Sequence, residues 1–231
     1  MNTVFEDIKK NIKDDVTKYA ANEEGVLEIT DENDNHITVY EDIDGFSREY
    51  TITNPDAITK EWINERIIVT DSVKELDISI NIEKLAEFAT SLDKNMLLTL
   101  ENIIIVNDAE KDYDYLSALD DEFAQMLEVS DLPDENLVGL MWFSYQKVFL
   151  NLGSIIKATD ELIEDGIGYD YEREQDINRG IATTLVHEIR HLAQANPYLE
   201  ANKLNQKGND EEDAENYADM VCSNNIPWLI K

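Results

Sequence analysis

The chain has 231 residues, 42% of them hydrophobic, and a formal net charge of −32 from 51 acidic and 19 basic side chains. That apolar fraction is enough for a packed core and argues against wholesale disorder, while no apolar run reaches the roughly 18–20 residues that cross a bilayer. A surface this acidic repels phosphate backbones and anionic lipid, so no direct nucleic-acid binding and no membrane association are expected, and a partner or substrate with a basic surface fits instead.

In chain order, Val4 to Tyr19 predicts a helix, with Phe5, Ile8, Ile12, Val16 and Tyr19 at spacings of three and four. Met1 to Lys13 lacks the basic and apolar regions of a secretory signal, and Cys222 is the sole cysteine. Both lead us to expect a cytoplasmic protein without intrachain disulfides. Val26–Thr30 and His36–Glu41 alternate around Asp31-Glu32-Asn33-Asp34-Asn35 and predict a hairpin, with Arg48–Thr53 as a third strand. Trp62–Thr70 and Leu76–Ile80 read as strand-like. Ile82–Ala89 predicts a short helix, and Leu97–Asn107 contains the buried strand Ile103-Ile104-Ile105-Val106. Tyr115–Glu128 reads as helical and is broken at Asp131-Leu132-Pro133-Asp134. Leu137–Tyr145 and Lys147–Leu152 predict a second hairpin, followed by a helix over Ser154–Asp165 that Gly166-Ile167-Gly168 ends. A long helix is expected from Asp176, as N-cap, to Ala195, stopped by Asn196-Pro197, and a last helix over Asp210–Cys222. The fold class is α+β, divided into residues 1–80, whose role the residues do not reveal, and residues 81–231, where the chemistry lies.

That chemistry is concentrated in His187-Glu188-Ile189-Arg190-His191, which holds two of only three histidines. On a helix, positions i and i+4 share a face, so both imidazoles can reach one metal ion. Glu188 lies about 100° round the helix, where its carboxylate can meet a water on the metal without ligating it. A catalytic zinc takes three protein ligands and leaves a position open. His36, in a turn, is a poor third ligand. The helix Glu211-Glu212-Asp213-Ala214-Glu215-Asn216-Tyr217-Ala218-Asp219 offers carboxylates instead, with Glu211, Ala214, Glu215 and Ala218 on one face and alanines small enough for close helix packing.

These two segments resemble gluzincin-type HExxH zinc metallopeptidases, in particular small ones from phages and mobile elements, in which H-E-[aliphatic]-R-H-x-x-Q precedes E-x-D-A-x-x-Y-A. This chain reads His187 to Gln194 and Glu211 to Ala218 in those positions. The resemblance covers roughly residues 95–222 and implies a minimal zincin-like domain: a mixed sheet, an active-site helix and a ligand helix. It implies His187, His191 and Glu211 as ligands of Zn2+, Glu188 as general base, and hydrolysis of a protein or peptide substrate in a host-cell cytoplasm. It also likens Lys147–Leu152 to the edge strand that lines the cleft. Glu215-Asn216-Tyr217-Ala218-Asp219 fits the E-x-x-A-D ligand pattern of some gluzincins, so Glu215 is either the alternative ligand or an acid that accepts an N–H from a ligand imidazole. Tyr198 and Tyr217 are candidate oxyanion donors by sequence proximity.

Other signals carry less. Asp31 to Asp42 lacks the glycine that a calcium loop needs at position six, where His36 stands. Tyr113-Asp114-Tyr115 and Tyr169-Asp170-Tyr171 read as loop aromatics, Trp142 and Trp228 as core, and Cys222 as buried and unreactive. Two alternatives to a peptidase are an acidic, non-enzymatic binding or inhibitor protein on a metallopeptidase scaffold, and a phage structural component with a vestigial site.

Overall fold

A computed structural model of the chain describes residues 4–10, 27–29, 35–43, 46–108, 111–119, 138–142, 146–196, 199, 204–223 and 226–231. The expected turn segment 31–34, the helix expected over 120–128, the break at 131–134 and the positions of Ile12, Val16, Tyr19, Pro197 and Tyr198 lie outside the described residues, as does the side chain of Trp142. Over the rest the protein is mixed α/β with two small sheets, one of them of mixed strand direction. No helix among the described residues is long and apolar enough to cross a membrane.

Residues 4–10 form α1, whose Phe5 and Ile8 are buried. They pack on Ile37, Ile52 and Leu98. The first sheet is the expected antiparallel set β1 (Leu27–Ile29), β2 (His36–Ile43) and β3 (Phe46–Thr53). Its register sets Ile37 opposite Ile52, so one face supplies a pair of branched side chains to that small core. Two bonds fasten it to the rest of the chain: Thr53 N–H donates to the Leu98 carbonyl at 2.7 Å, and Thr51 N–H to Gln146 Oε1 at 3.1 Å.

Trp62 does not enter a strand. Thr59 accepts from the Trp62 N–H and caps α2 (Lys60–Asn64), so only Ile67–Val69 extends, as β4. The local cap overrode the apolar alternation. Leu76–Ile80 is likewise not a strand, apart from an isolated bridge from Ile80 to Ile230. β4 pairs in parallel with β5 (Asn102–Val106), so the carboxy-terminal body reaches back across residue 80. Ile58, Ile63, Val73 and Ile78 also belong to its core. α3 (Ile82–Thr90) and α4 (Tyr113–Leu119) follow on either side of β5 in sequence.

The second sheet has the order β4-β5-β7-β6, with β6 at Gly139–Trp142 and β7 at Lys147–Asn151. The first three strands are parallel and β6 is antiparallel. Lys147–Leu152 is therefore an interior strand, not an edge, and every position of β7 is buried, as a central parallel strand requires. The edge is β6.

α5 (Leu152–Glu164) ends at Gly166, whose φ of 73° suits glycine. α6 (Arg173–Gln194) begins before Asp176, because Arg173 is held by Asp160 at 2.5 and 2.9 Å and by Asp77 at 3.2 Å. Asp176 instead stands in the first turn, where a carboxylate suits the positive end of the helix dipole. Ile177, Ile181, Leu185 and Ile189, at spacings of four, give α6 its buried stripe. α7 (Asp210–Cys222) has the expected bounds and packs against α6 through the fully buried Ala214 and Ala218 and the buried Cys222. Burial raises the Cys222 thiol pKa, which keeps it protonated.

The chain end is stitched back on the core. Asn81 N–H donates to the Leu229 carbonyl and Lys231 N–H to the Ser79 carbonyl. Leu229 and Ile230 turn inward, which leaves Trp228 outward and 49% exposed, contrary to the core placement expected for it. Asn178, polar in an apolar stripe, accepts from Leu229 N–H at 2.6 Å and donates to the Pro227 carbonyl at 2.9 Å. Asn178→Ala strands both backbone groups. It should cost about 2 kcal/mol and lower the melting midpoint by roughly 4–8 °C in calorimetry.

Candidate metal centre

The two motif histidines lie one turn apart on the face of α6 that looks toward the start of α7. Their rings meet edge-on, with centroids 4.5 Å apart at 81°, and their Nε2 atoms are 3.0 Å apart. α7 is started by Asn209, whose side chain accepts from Glu212 N–H and so sets Glu211 in the first turn. From there the Glu211 carboxylate spans both rings: Oε1 lies 3.3 Å from His187 Nε2 and Oε2 lies 3.2 Å from His191 Nε2. Among the described residues, His187, His191 and Glu211 form the group whose donor atoms could hold one ion.

The separations can be tested against coordination geometry. A tetrahedral ion with arms of about 2.0–2.1 Å has ligand–ligand edges of about 3.3–3.4 Å. The two imidazole nitrogens are 3.0 Å apart and each faces a different Glu211 oxygen, at 3.2 and 3.3 Å; with one donor atom from each residue the three lie within 4.8 Å of one another, so a turn of the Glu211 side chain would bring a single oxygen to such an ion. Burial and the neighbouring His191 lower the His187 pKa, while Glu211 and Glu215 oppose them. The net effect favours the neutral imidazole, the form that ligates. Glu215 is exposed and acts on His187 through its charge. Glu211, not Glu215, has oxygens at ligand distance. His36 is at the start of β2, opposite Thr53, and is not part of the group.

Glu188 stands beside the cluster, 8% exposed. Burial is the main cause that pushes its carboxyl up to about 8. The charge of Glu211 adds to this, and the Met141 N–H donated to it works the other way. The donor comes from edge strand β6, which lies against α6 here. A Cβ on Gly139 would be 2.4 Å from Thr184 Cγ2 and 2.9 Å from Glu188 Oε1, so glycine is what lets strand and helix approach. Gly139, Leu140 and Met141 form one wall of an open cleft of about 280 Å³, and His187, Glu188, His191 and Glu211 form the other.

Several residues that frame the site had no role on sequence grounds. Gln194 Oε1 is 2.8 Å from His191 Nδ1, and its amide nitrogen donates to Asp213 Oδ2 at 3.0 Å. Asp213 and Arg190 form a nearly dry ion pair at 2.7 Å, their side chains 6% and 4% exposed. Burial pushes the Asp213 carboxyl up, but donors from Arg190, the Lys207 backbone and Gln194 hold it below the ordinary range. A charged residue in the buried stripe of α6 was the available signal, since it needs a partner on a neighbouring helix. Tyr217 sits under that pair, with the Arg190 guanidinium carbon 4.7 Å from its ring, and it does not line the cleft. Comparison with family models, curated proteins and solved structures found no match to the chain.

Two measurements probe this geometry. The folded Glu188 pKa of about 8 lies above the unfolded 4.5, so the folded state prefers the protonated acid. Stability of the metal-free protein should then fall as pH rises from 4.5 to 8, by at most about 5 kcal/mol. Glu188→Gln removes that loss. Its melting midpoint in chelator should match the parent near pH 5 and exceed it at pH 8. Gly139→Ala should cost about 1–3 kcal/mol in urea titrations. Adding Thr184→Ser, which deletes the obstructing methyl, should recover part of that cost.

Proposed function

We propose that this protein is a zinc-dependent metallopeptidase that cleaves a protein substrate, with His187, His191 and Glu211 as metal ligands and Glu188 as general base. One observation carries the reading: two imidazole nitrogens and a carboxylate converge within 4.8 Å of one another, and a second carboxyl, outside that group, opens onto the same cleft. A zincin-like arrangement of mixed sheet, active-site helix and ligand helix is part of the proposal. The mixed sheet, with α6 and α7 packed together, supports it.

Zinc bound there would supply a Lewis acid that polarises a carbonyl and acidifies a water. The remaining work falls to the chain. Glu188, poised between charged and neutral by its burial, takes a proton from the attacking water and returns it to the departing amine nitrogen. Edge strand β6 offers a backbone rim along which an extended peptide can lie beside the donors. The net charge of −32 favours substrates with basic surfaces. Neither tyrosine is assigned as oxyanion donor: Tyr198 lies outside the described residues, and Tyr217 is engaged by Arg190.

The same charge supports one other reading, an acidic binding protein that keeps the scaffold and sequesters a basic partner. Elemental analysis of the purified protein tests the ligand set: one zinc per chain is expected, lost in His187→Ala and in Glu211→Gln. Glu188→Gln separates the two readings. A peptidase keeps its zinc and loses about 10²–10⁴-fold in turnover of a basic protein substrate such as a histone. A binder has no turnover to lose.

A further inference from the structure

The hydrogen bonds around His191 run in one direction only. The amide nitrogen of Gln194 donates to the Asp210 carbonyl at 2.9 Å and to Asp213 Oδ2 at 3.0 Å, and both of those atoms can only accept. Those two bonds fix which end of the amide is which, and Oε1 must face His191. A carbonyl oxygen also only accepts, so at 2.8 Å it calls for a proton on His191 Nδ1. In the neutral ring that leaves Nε2 with its lone pair free, directed at His187 Nε2 and Glu211.

What keeps Gln194 in place lies in the dry interior. Asp213 receives Arg190 Nε on Oδ2 at 2.7 Å and the Lys207 N–H on Oδ1 at 2.8 Å. Arg190 is itself held by the Leu204 carbonyl at 2.8 Å. Asp213 therefore has no freedom to rotate away, and the amide is clamped from behind.

We propose that Gln194 is a positioning residue. Anchored by Asp213 and the Asp210 carbonyl, it locks His191 in the Nδ1–H tautomer and aims Nε2 at the three-donor cluster. The consequence for metal affinity rests on the metallopeptidase reading, whereas the tautomer does not. A ligand imidazole that loses its outer partner binds metal about 10–100-fold more weakly.

The test uses the whole chain. Nitrogen-15 spectra of the histidines in metal-free protein at pH 8 should show His191 protonated at Nδ1 in the parent. In Gln194→Leu that preference should disappear. Zinc affinity, by competition with a chromogenic chelator, should fall about 10–100-fold in Gln194→Leu. Gln194→Glu keeps an acceptor toward Nδ1 but turns its other oxygen on Asp213 Oδ2 and the Asp210 carbonyl, so it should retain the tautomer and lose zinc affinity with the anchor, which also covers the case in which the leucine variant fails to fold. Gln194→Leu with unchanged tautomer and unchanged zinc affinity overturns the proposal, and so does a change confined to the melting midpoint of the metal-free protein. A parent that binds no zinc defeats the metallopeptidase reading alone, and the tautomer then decides the role of Gln194.

Discussion

The arrangement at the cluster depends on how α6 and α7 are held together, and the buried Arg190–Asp213 pair is the bond that fixes their register. Two charges taken out of water add little net stability, because their desolvation offsets their attraction. What such a pair enforces is geometry: sliding either helix by a turn would leave both charges buried and unmatched. Ala214 and Ala218 bring the helices close, and the ion pair selects one of the several ways that two such smooth faces could meet. Glu211 faces both imidazoles because that one alignment is selected.

A second constraint acts from the other side of α6. Strand β6 approaches the helix closely enough to bond the Glu188 carboxylate with a main-chain N–H, and only Gly139 permits that approach. The result is an acid held out of water at the lip of an open cleft, with one donor and one negative neighbour as its surroundings. Its proton affinity is therefore set by main-chain placement and burial more than by any basic side chain. The sheet contributes to the site through its edge, and its buried central strands serve to hold that edge steady.

Much of this was legible in the residues. The bounds of α7, both hairpins, α3 and the apolar strand β5 follow from period, caps and turn residues, and the His-Glu-x-x-His spacing names the face that carries the cluster. The failures have physical causes. Trp62 sits in alternating apolar sequence, but a threonine cap three residues earlier turned the segment into helix. The resemblance to gluzincins likens Lys147–Leu152 to an edge strand, and the hairpin signature does not say which of its strands is outermost; β6 holds that place. The division at residue 80 separates β4 from β5, because the parallel pairing of a short strand with a partner far along the chain leaves no local mark. Gln194 and Asp213 were visible as letters of a motif. Their bond directions depend on three-dimensional neighbours that no spacing rule encodes.

The cysteine at the end of α7 has a wider bearing. The donors that converge between the helices are nitrogen and oxygen, and the single sulfhydryl is shut away in the interior, kept protonated by its surroundings. Mild oxidants therefore find no thiolate to attack at Cys222, and the side chains of His187, His191 and Glu211 bring no sulfur to their cluster.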